Sequence, residues 1–460
     1  LSFKRLMGKN KMKNQISFVK AVSAYSILAF VLIFLANSLT SFASEDEFDF
    51  GVEGNEESEE KTPSLNKRPS FKIDINGNIT LKSSRQIGSP NRWNYLGPSI
   101  KLKGSLNAPL VLLKFDGDSE FNFAFKIEKD GETFSKKHLP KSRLRELYLQ
   151  KSFGKNTVYV GKKIVVWGKA DALVVTDVLT PKDNSLLLLT DIEKSRTGQL
   201  LLEWDFYLKN IEFNLYAIPF PLYNIYPEQG HPYGIPKNYT VKNKDEFSKK
   251  EQNSEAALRI NYESDWGSTA LLFASIHNRE AVLDTINAFD LSFEEKHERY
   301  FFLGFTMDIA LKKMLLKTEA AYEKEKLTQT YAQFFGQQIP TSMKKDVISL
   351  MGGADYNHNL WGNWILEFSG SKTETWSHLL LISWSRSFLN EDLKLNAGIT
   401  FYDSLKNPSF NTSSSYRISD SLETTLSCTL IDIQKSNDSN PMLSQLSGMD
   451  QVSLEVKYLF

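Results

Sequence analysis

The stretch Gln451-Val452-Ser453-Leu454-Glu455-Val456-Lys457-Tyr458-Leu459-Phe460 sorts its side chains by parity. Val452, Leu454, Val456, Tyr458 and Phe460 share one face of an extended strand, and Ser453, Glu455 and Lys457 share the other. Successive side chains of a strand point to opposite faces, so one face is apolar and the other charged and wetted. A single strand of this kind occurs in soluble sheets. A long even series behind a secretory leader describes a barrel with lipid outside and water inside.

Working back from that strand, the chain repeats the pattern. In Gln199 to Leu208 the residues Leu200, Leu202, Trp204, Phe206 and Leu208 read outward, and Gln199, Glu203 and Asp205 inward. Between Tyr300 and Leu311 the outward set is Phe301, Leu303, Phe305, Met307, Ile309 and Leu311, with Asp308 inward. Lys317 and Glu319, Lys394 and Asn396, and Arg259, Asn261 and Glu263 take inward positions in their strands. A charge at mid-membrane on the lipid face costs roughly 2–4 kcal/mol, so this sorting is what a membrane barrel requires.

Tight connections are expected near Gly117-Asp118, Gly154-Lys155-Asn156, Lys209, Asp265, Lys312, Asn359, Glu391 and Asp420. Long ones are expected at Gly168–Arg196, Pro219–Ser254, Arg279–Glu298, Lys324–Lys345 and Lys435–Asp450, with two shorter ones of the same parity near Lys372–Thr375 and Ser404–Pro408. The first half is less regular: a long bent strand is read over Arg92–Phe115, and others over Leu144–Phe153 and Thr157–Trp167. The fold class is therefore all-β, a transmembrane antiparallel barrel of about eighteen strands, sixteen if the Arg92–Lys129 region is misread. Turns lie at the periplasmic end and long loops at the extracellular end.

Composition agrees. The 460 residues are 41% hydrophobic and 12% aromatic, with 31 Phe and 18 Tyr, and mean hydropathy is −0.33. Helical membrane proteins are far more apolar. Lys4, Arg5, Lys9, Lys11, Lys13 and Lys20 precede the apolar run Ala21–Ala36 and then Ser41-Phe42-Ala43, the layout of a signal peptide cut after Ala43, with Met12 as an alternative start. Cleavage leaves 49 basic against 55 acidic residues, a net of −6, which argues against nucleic acid as partner. Nine acidic residues crowd into sixteen positions between Glu45 and Glu60, so residues 44–70 read as a solvated periplasmic tail, a docking element for a periplasmic partner on one reading. The domains are thus leader 1–43, acidic tail 44–70 and barrel 71–460. Cys428 is the sole cysteine, and the six histidines are scattered without metal spacing. No Ser, His and acid are nominated for catalysis, so no enzyme, metal or cofactor is expected.

The chemistry gathers near Gly161-Lys162-Lys163-Ile164-Val165-Val166-Trp167-Gly168. Lys162 and Lys163 are adjacent, so one faces the lumen and the other snorkels or sits at the rim. The following loop holds Leu173, Val174, Val175, Val178 and Leu179, too apolar to extend into water, and is expected to fold into the lumen. Its charges, Lys169, Asp171, Asp177, Lys182, Asp183 and Arg196, then line a constriction together with Glu203, Asp205, Arg259, Asp308, Lys317, Glu319 and Lys394; a lid that merely braces the wall is the other reading. Pro219–Tyr239, with Phe220, Tyr223, Tyr226, Tyr233 and Tyr239, is a second aromatic candidate for binding or for loop packing.

The segment Gly161, Lys162, Lys163, Trp167, Gly168, Pro181, Asp183 resembles one carried by an uncharacterised family of proteobacterial outer-membrane barrels related to porins and the alginate-export channel. Lys162 and Lys163 stand where that family usually has Arg and Gln. The resemblance implies an eighteen-stranded porin-like channel, some relatives being suspected exporters of lipids or other apolar compounds. Phe460 resembles the terminal signal read by barrel-assembly machinery.

The expectation is an outer-membrane channel of a Gram-negative bacterium, passing an unnamed small solute by diffusion. An export or lipid-transfer barrel with periplasmic partners, and a plugged structural barrel, are the alternatives. Its partners are outer-membrane lipid and lipopolysaccharide and the assembly machinery. Both monomer and homo-oligomer stay open.

Overall fold

The computed structural model describes residues 71–87, 93–108, 111–123, 140–185, 192–227, 240–242, 253–334, 337–403, 405–432 and 449–460. The expected leader and acidic tail lie outside them. The first strands are β1 (Lys72–Gln86), β2 (Trp93–Asn107), β3 (Leu112–Phe121), β4 (Pro140–Phe153), β5 (Asn156–Lys163), β6 (Gln199–Leu208) and β7 (Ile211–Ile218). Then come β8 (Thr240–Lys242), β9 (Glu255–Ser264), β10 (Gly267–His277), β11 (Val282–Asn287), β12 (Ser292–Lys296), β13 (Arg299–Leu311) and β14 (Met314–Phe334). The last are β15 (Gln337–His358), β16 (Gly362–Lys372), β17 (Trp376–Phe388), β18 (Leu393–Tyr402), β19 (Pro408–Ser419), β20 (Leu422–Ile431) and β21 (Gln451–Leu459).

Eighteen of these strands form one antiparallel sheet, each pairing with its neighbour in the chain, apart from the small sheet β8–β11–β12 set in the loops. The sheet closes on itself: β21 pairs with β1 from Asn78↔Leu459 to Gln86↔Gln451. Gly77 and Phe460 complete the seam by exchanging backbone hydrogen bonds of 2.9 and 3.1 Å. Closure satisfies every edge, which a sheet in hydrocarbon needs. Gly77 is required by close approach, since a Cβ there would lie 2.7 Å from the Lys101 carbonyl and 2.8 Å from the Phe460 ring.

The outside is apolar and bare while the inside is polar and covered. Phe301, Leu303, Leu202 and Trp204 are 59%, 46%, 46% and 45% exposed, whereas Glu203, Asp205 and Glu319 are 4%, 3% and 0% exposed. A soluble protein would leave that exterior in water at great cost; in an outer membrane it faces acyl chains. The chain is an outer-membrane β-barrel.

Tight turns at residues 154–155, 209–210, 265–266 and 312–313 share one end. Lys209 and Lys312 take positive φ of 52° and 41° there, matching the twist of short hairpins. Long connections share the other end, as expected. Three details differ from the sequence reading. Gly117-Asp118 is not a turn but lies within β3, at a register shift beside Asp116; a glycine inside a strand often marks such a bulge. The reversal falls instead at Ala108 to Val111, whose backbones exchange hydrogen bonds of 3.0 and 3.3 Å, so the single bent strand becomes β2 and part of β3.

Second, Lys324–Lys345 is mostly not a loop, because β14 and β15 run on as a hairpin beyond the barrel wall. Thr330 and Thr341 pair through hydroxyls 2.9 Å apart, and Gln329 accepts from the Leu283 amide at 2.9 Å. Water and loop neighbours on both faces abolish the apolar alternation that marks a membrane strand. Third, β5 ends at Lys163 rather than Trp167. Ile164 N turns to Glu146 Oε1 at 2.8 Å, and Val165 N to Thr180 Oγ1 at 2.9 Å, so the chain leaves the wall there.

The buried apolar core lies against the inner face of the wall. Val165, Trp167 and Leu179 pack with Leu201, Tyr216, Ile218, Leu272, Ile276, Tyr300 and Phe302 from β6, β7, β10 and β13. Trp167 meets Tyr216 edge-on at 5.8 Å and Phe302 at 6.1 Å between ring centroids.

Candidate lumen site

The connection between β5 and β6 is held by two carboxylates from the far side of the barrel. Glu319 on β14 accepts from the amides of Lys169 and Ala170 on Oε1, at 2.6 and 2.8 Å. Its Oε2 accepts from the Val175 and Thr176 amides at 2.9 and 3.0 Å and from Thr176 Oγ1 at 2.8 Å. Glu367 on β16 takes the Asp171 amide at 2.6 Å and those of Ala172 and Leu173 at 3.1 and 3.0 Å. Both carboxylates are 0% exposed. Wrapped amides satisfy a buried charge as a nest does, and hydrogen bonds to an ionised acceptor are the strong ones.

Side chains of the loop add ion pairs to the same wall. Lys169 Nζ lies 2.7 Å from Asp308 Oδ1, and Ser268 Oγ donates to that carboxylate at 2.5 Å. Lys317 bridges Asp171 of the loop and Asp355 of β15. Within the loop, Arg196 Nε donates to Asp177 Oδ2 at 2.7 Å. Lys182 and Arg196 form an isolated antiparallel bridge, and the Lys182 amide donates to Asn224 at 2.8 Å.

Asp183 fastens the loop's other limb. It receives Lys141 Nζ at 2.5 Å, Arg143 at 2.9 Å and Ser185 Oγ at 2.5 Å. Burial alone would raise its pKa, but the Lys141 ammonium and these donors hold it down at about 2. Arg143 also reaches Asp118 and Glu120 on β3. Arg145 donates to the Arg196 and Glu193 carbonyls at 3.3 and 2.9 Å.

The adjacent lysines part company as parity requires. Lys163 points inward to Glu203 and lies 3.8 Å over the Tyr159 ring centroid. Lys162 stands in register with Leu147 and the outward Leu200, on the outer face. Asp205 accepts from Asn214 at 2.7 Å, and Arg259 is in register with Asn214 beside it. Lys394, between Ser387 and Ser415, stands on a separate stretch of wall and is not brought to the loop. In the aromatic loop, Tyr223 stacks on His297 at 3.8 Å; Tyr233 and Tyr239 lie outside the described residues.

The sequence reading placed Glu455 and Lys457 on the wetted face but nominated no residue of the polar wall opposite as a site. A cavity of about 850 Å3 runs along β1 to β4, β20 and β21. Lys82, Lys101, Lys103, Arg143, Arg145, Lys194 and Lys457 line it against Asp118, Glu120 and Glu455, seven cations to three carboxylates. Asp116 sits 3.8 Å from Lys101, 3.6 Å from Lys103 and 3.5 Å from Arg145. Reading Gly117-Asp118 as a turn hid this group. Glu367 was also missed, although its place between Leu366 and Phe368 marks it as inward by alternation alone.

No family model matches the chain, and no curated protein matches it in sequence. Solved structures do match in fold. OccAB1 of Acinetobacter baumannii is similar with a TM-score of 0.52 and 7% identity, over 85% of this chain and 96% of that one. OccAB3 of the same organism gives 0.49 and 10%, over 84% and 99%. OmpF of Salmonella typhi, solved with daunomycin, gives 0.42 and 12%, over 84% and 97%. At 7% identity the likeness to OccAB1 speaks for the barrel fold alone.

Proposed function

We propose that the barrel is a passive channel for small solutes, with its bore set by the 168–196 loop. The observation that carries this is the pair Glu319 and Glu367, which tie eight loop donors to wall strands six and eight places round the barrel from β5, where the loop begins. A loop so tied divides the lumen, and the water route left is the cavity along β20, β21 and β1 to β4. No nucleotide, cofactor or catalytic group enters the reading.

The two sides differ in charge. The loop side carries Glu203, Asp205 and Asp308, each matched to Lys163, Asn214 or Lys169. The open side carries an excess of cations, so a solute crossing it meets a transverse field and anionic solutes are favoured. Planar-bilayer recording of the purified chain tests this. Single-channel currents with a reversal potential displaced toward chloride in a salt gradient are expected; a folded protein that gives no current would sink the channel reading.

A further inference from the structure

A second depression lies on the outer, lipid-facing side of the wall. It has a volume of about 600 Å3 and spans β7, β9, β10, β13 and β14. Cross-strand register explains it. Ala217, Ala256 and Ser275 stand side by side on adjacent strands, small groups where this wall otherwise carries Leu and Phe. Phe301 continues their row and Phe273 and Leu303 form the floor one step toward the turn end.

The loop-end lip of this groove is cationic. Arg299 lies above Ser275, donating to its carbonyl at 3.2 Å and its hydroxyl at 3.1 Å, while the other guanidinium arm reaches the Ser254 carbonyl at 2.6 Å. Lys324, in register with Phe301, lines the groove and is exposed. An apolar trough ending in a guanidinium and an ammonium fits a molecule with a hydrocarbon chain directly below an anion. The groove opens at the end that carries the long loops, which is the outer leaflet.

We infer that this groove seats an acyl chain of a phosphorylated glycolipid of the outer leaflet, with the phosphate against Arg299 and Lys324. Bulk acyl chains wet the rest of the exterior without preference, because hydrocarbon gains nothing by exchanging one apolar contact for another. Selectivity therefore comes from the cationic lip, where Arg299, held in place by the Ser275 and Ser254 carbonyls, and Lys324 present positive charge to the phosphate, each basic group near a membrane surface contributing about 1 kcal/mol. The inference is independent of whether the lumen conducts.

Native mass spectrometry of the detergent-purified, folded full chain tests it, with lipid A, dephosphorylated lipid A and phosphatidylglycerol offered in turn. One lipid A adduct per chain should survive activation that strips the other two. Lys324→Gln should weaken retention about fivefold, the equivalent of losing one surface cation. Ala256→Leu should weaken it with both cations and the contacts of Arg299 intact, by filling the trough. Retention of all three lipids alike, retention unchanged in both variants, or a chain dimer in place of the lipid adduct would overturn the assignment. Compact migration of unheated samples in SDS gels checks that each variant is folded.

Discussion

Replacing Glu319 with Gln changes one oxygen to an NH2 and leaves the shape alone. The carboxylate now takes two amides on one oxygen and two amides with a hydroxyl on the other. In the variant, whichever side the NH2 occupies, at least two backbone donors face another donor. Each stranded buried donor costs about 1–3 kcal/mol, so the loop loses about 2–6 kcal/mol of anchoring. Moving an equilibrium from 1:99 to 99:1 takes about 5.5 kcal/mol. Glu367 and the buried Trp167 and Leu179 still hold the single variant. It should therefore stay docked most of the time and show brief larger openings as excess current noise. Glu319→Gln with Glu367→Gln removes both clasps, and mean single-channel conductance should rise. A folded double variant with the conductance and noise of the parent, or a smaller conductance, would refute the claim that these carboxylates set the bore.

Deleting residues 170–190 should raise conductance beyond the double variant, because it removes the loop and not only its clasps; unchanged conductance would show that the loop braces the wall without narrowing it. Lys101→Glu with Lys103→Glu should shift the reversal potential in a KCl gradient away from chloride, and no shift would place the solute route elsewhere. Asp183→Asn tests the other limb. The folded carboxyl titrates at about 2, below its ordinary 3.8, so its stabilisation is full above about pH 4 and fades as pH falls toward 2. The variant should lose about 2 kcal/mol at pH 7, seen as a lower unfolding temperature in detergent, and the gap should close on acidification; a gap independent of pH would remove charge from the explanation. Truncating Phe460 strips the two backbone bonds to Gly77 and should lower the yield of heat-modifiable barrel, whereas full yield would leave the seam to β21 alone.

The barrel was readable because one physical rule writes it into every spanning strand. A charge facing lipid is costly, so outward positions are apolar, and Leu303, Phe305 and Met307 show that plainly. The rule fails where its cause is absent. The β14–β15 extension has water and loop neighbours on both faces, so Thr328, Gln329 and Thr330 look like loop although they are strand. It fails differently in β10 and β13, where Leu272, Ile276, Tyr300 and Phe302 are apolar and inward because the loop covers them. Continuous apolar stretches such as Ala270–Ala274 are the mark of a strand buried on both sides. That signature tells which part of the inner wall a loop must cover.

That last point carries further than strand counting. The loop has an apolar face in Val165, Trp167 and Leu179, and among the described residues the buried apolar cluster that meets it comes from β6, β7, β9, β10, β13 and β14. The covering side is therefore fixed by the apolar match, while the cavity runs along β1 to β4 with β20 and β21, where Lys82, Lys101, Lys103, Glu455 and Lys457 line it. What alternation cannot supply is which inward charges are spent on holding the loop. Glu203, Asp308, Lys317 and Glu319 read alike in sequence, but in the structure each is matched to a partner on the loop or the wall. Charge engaged in this way contributes little net field to a passing ion. On the open side Lys101, Lys103 and Arg145 share the single carboxylate of Asp116, so net positive charge is left there, which makes the Lys101 and Lys103 variant a sharper test of solute preference than any substitution in the loop.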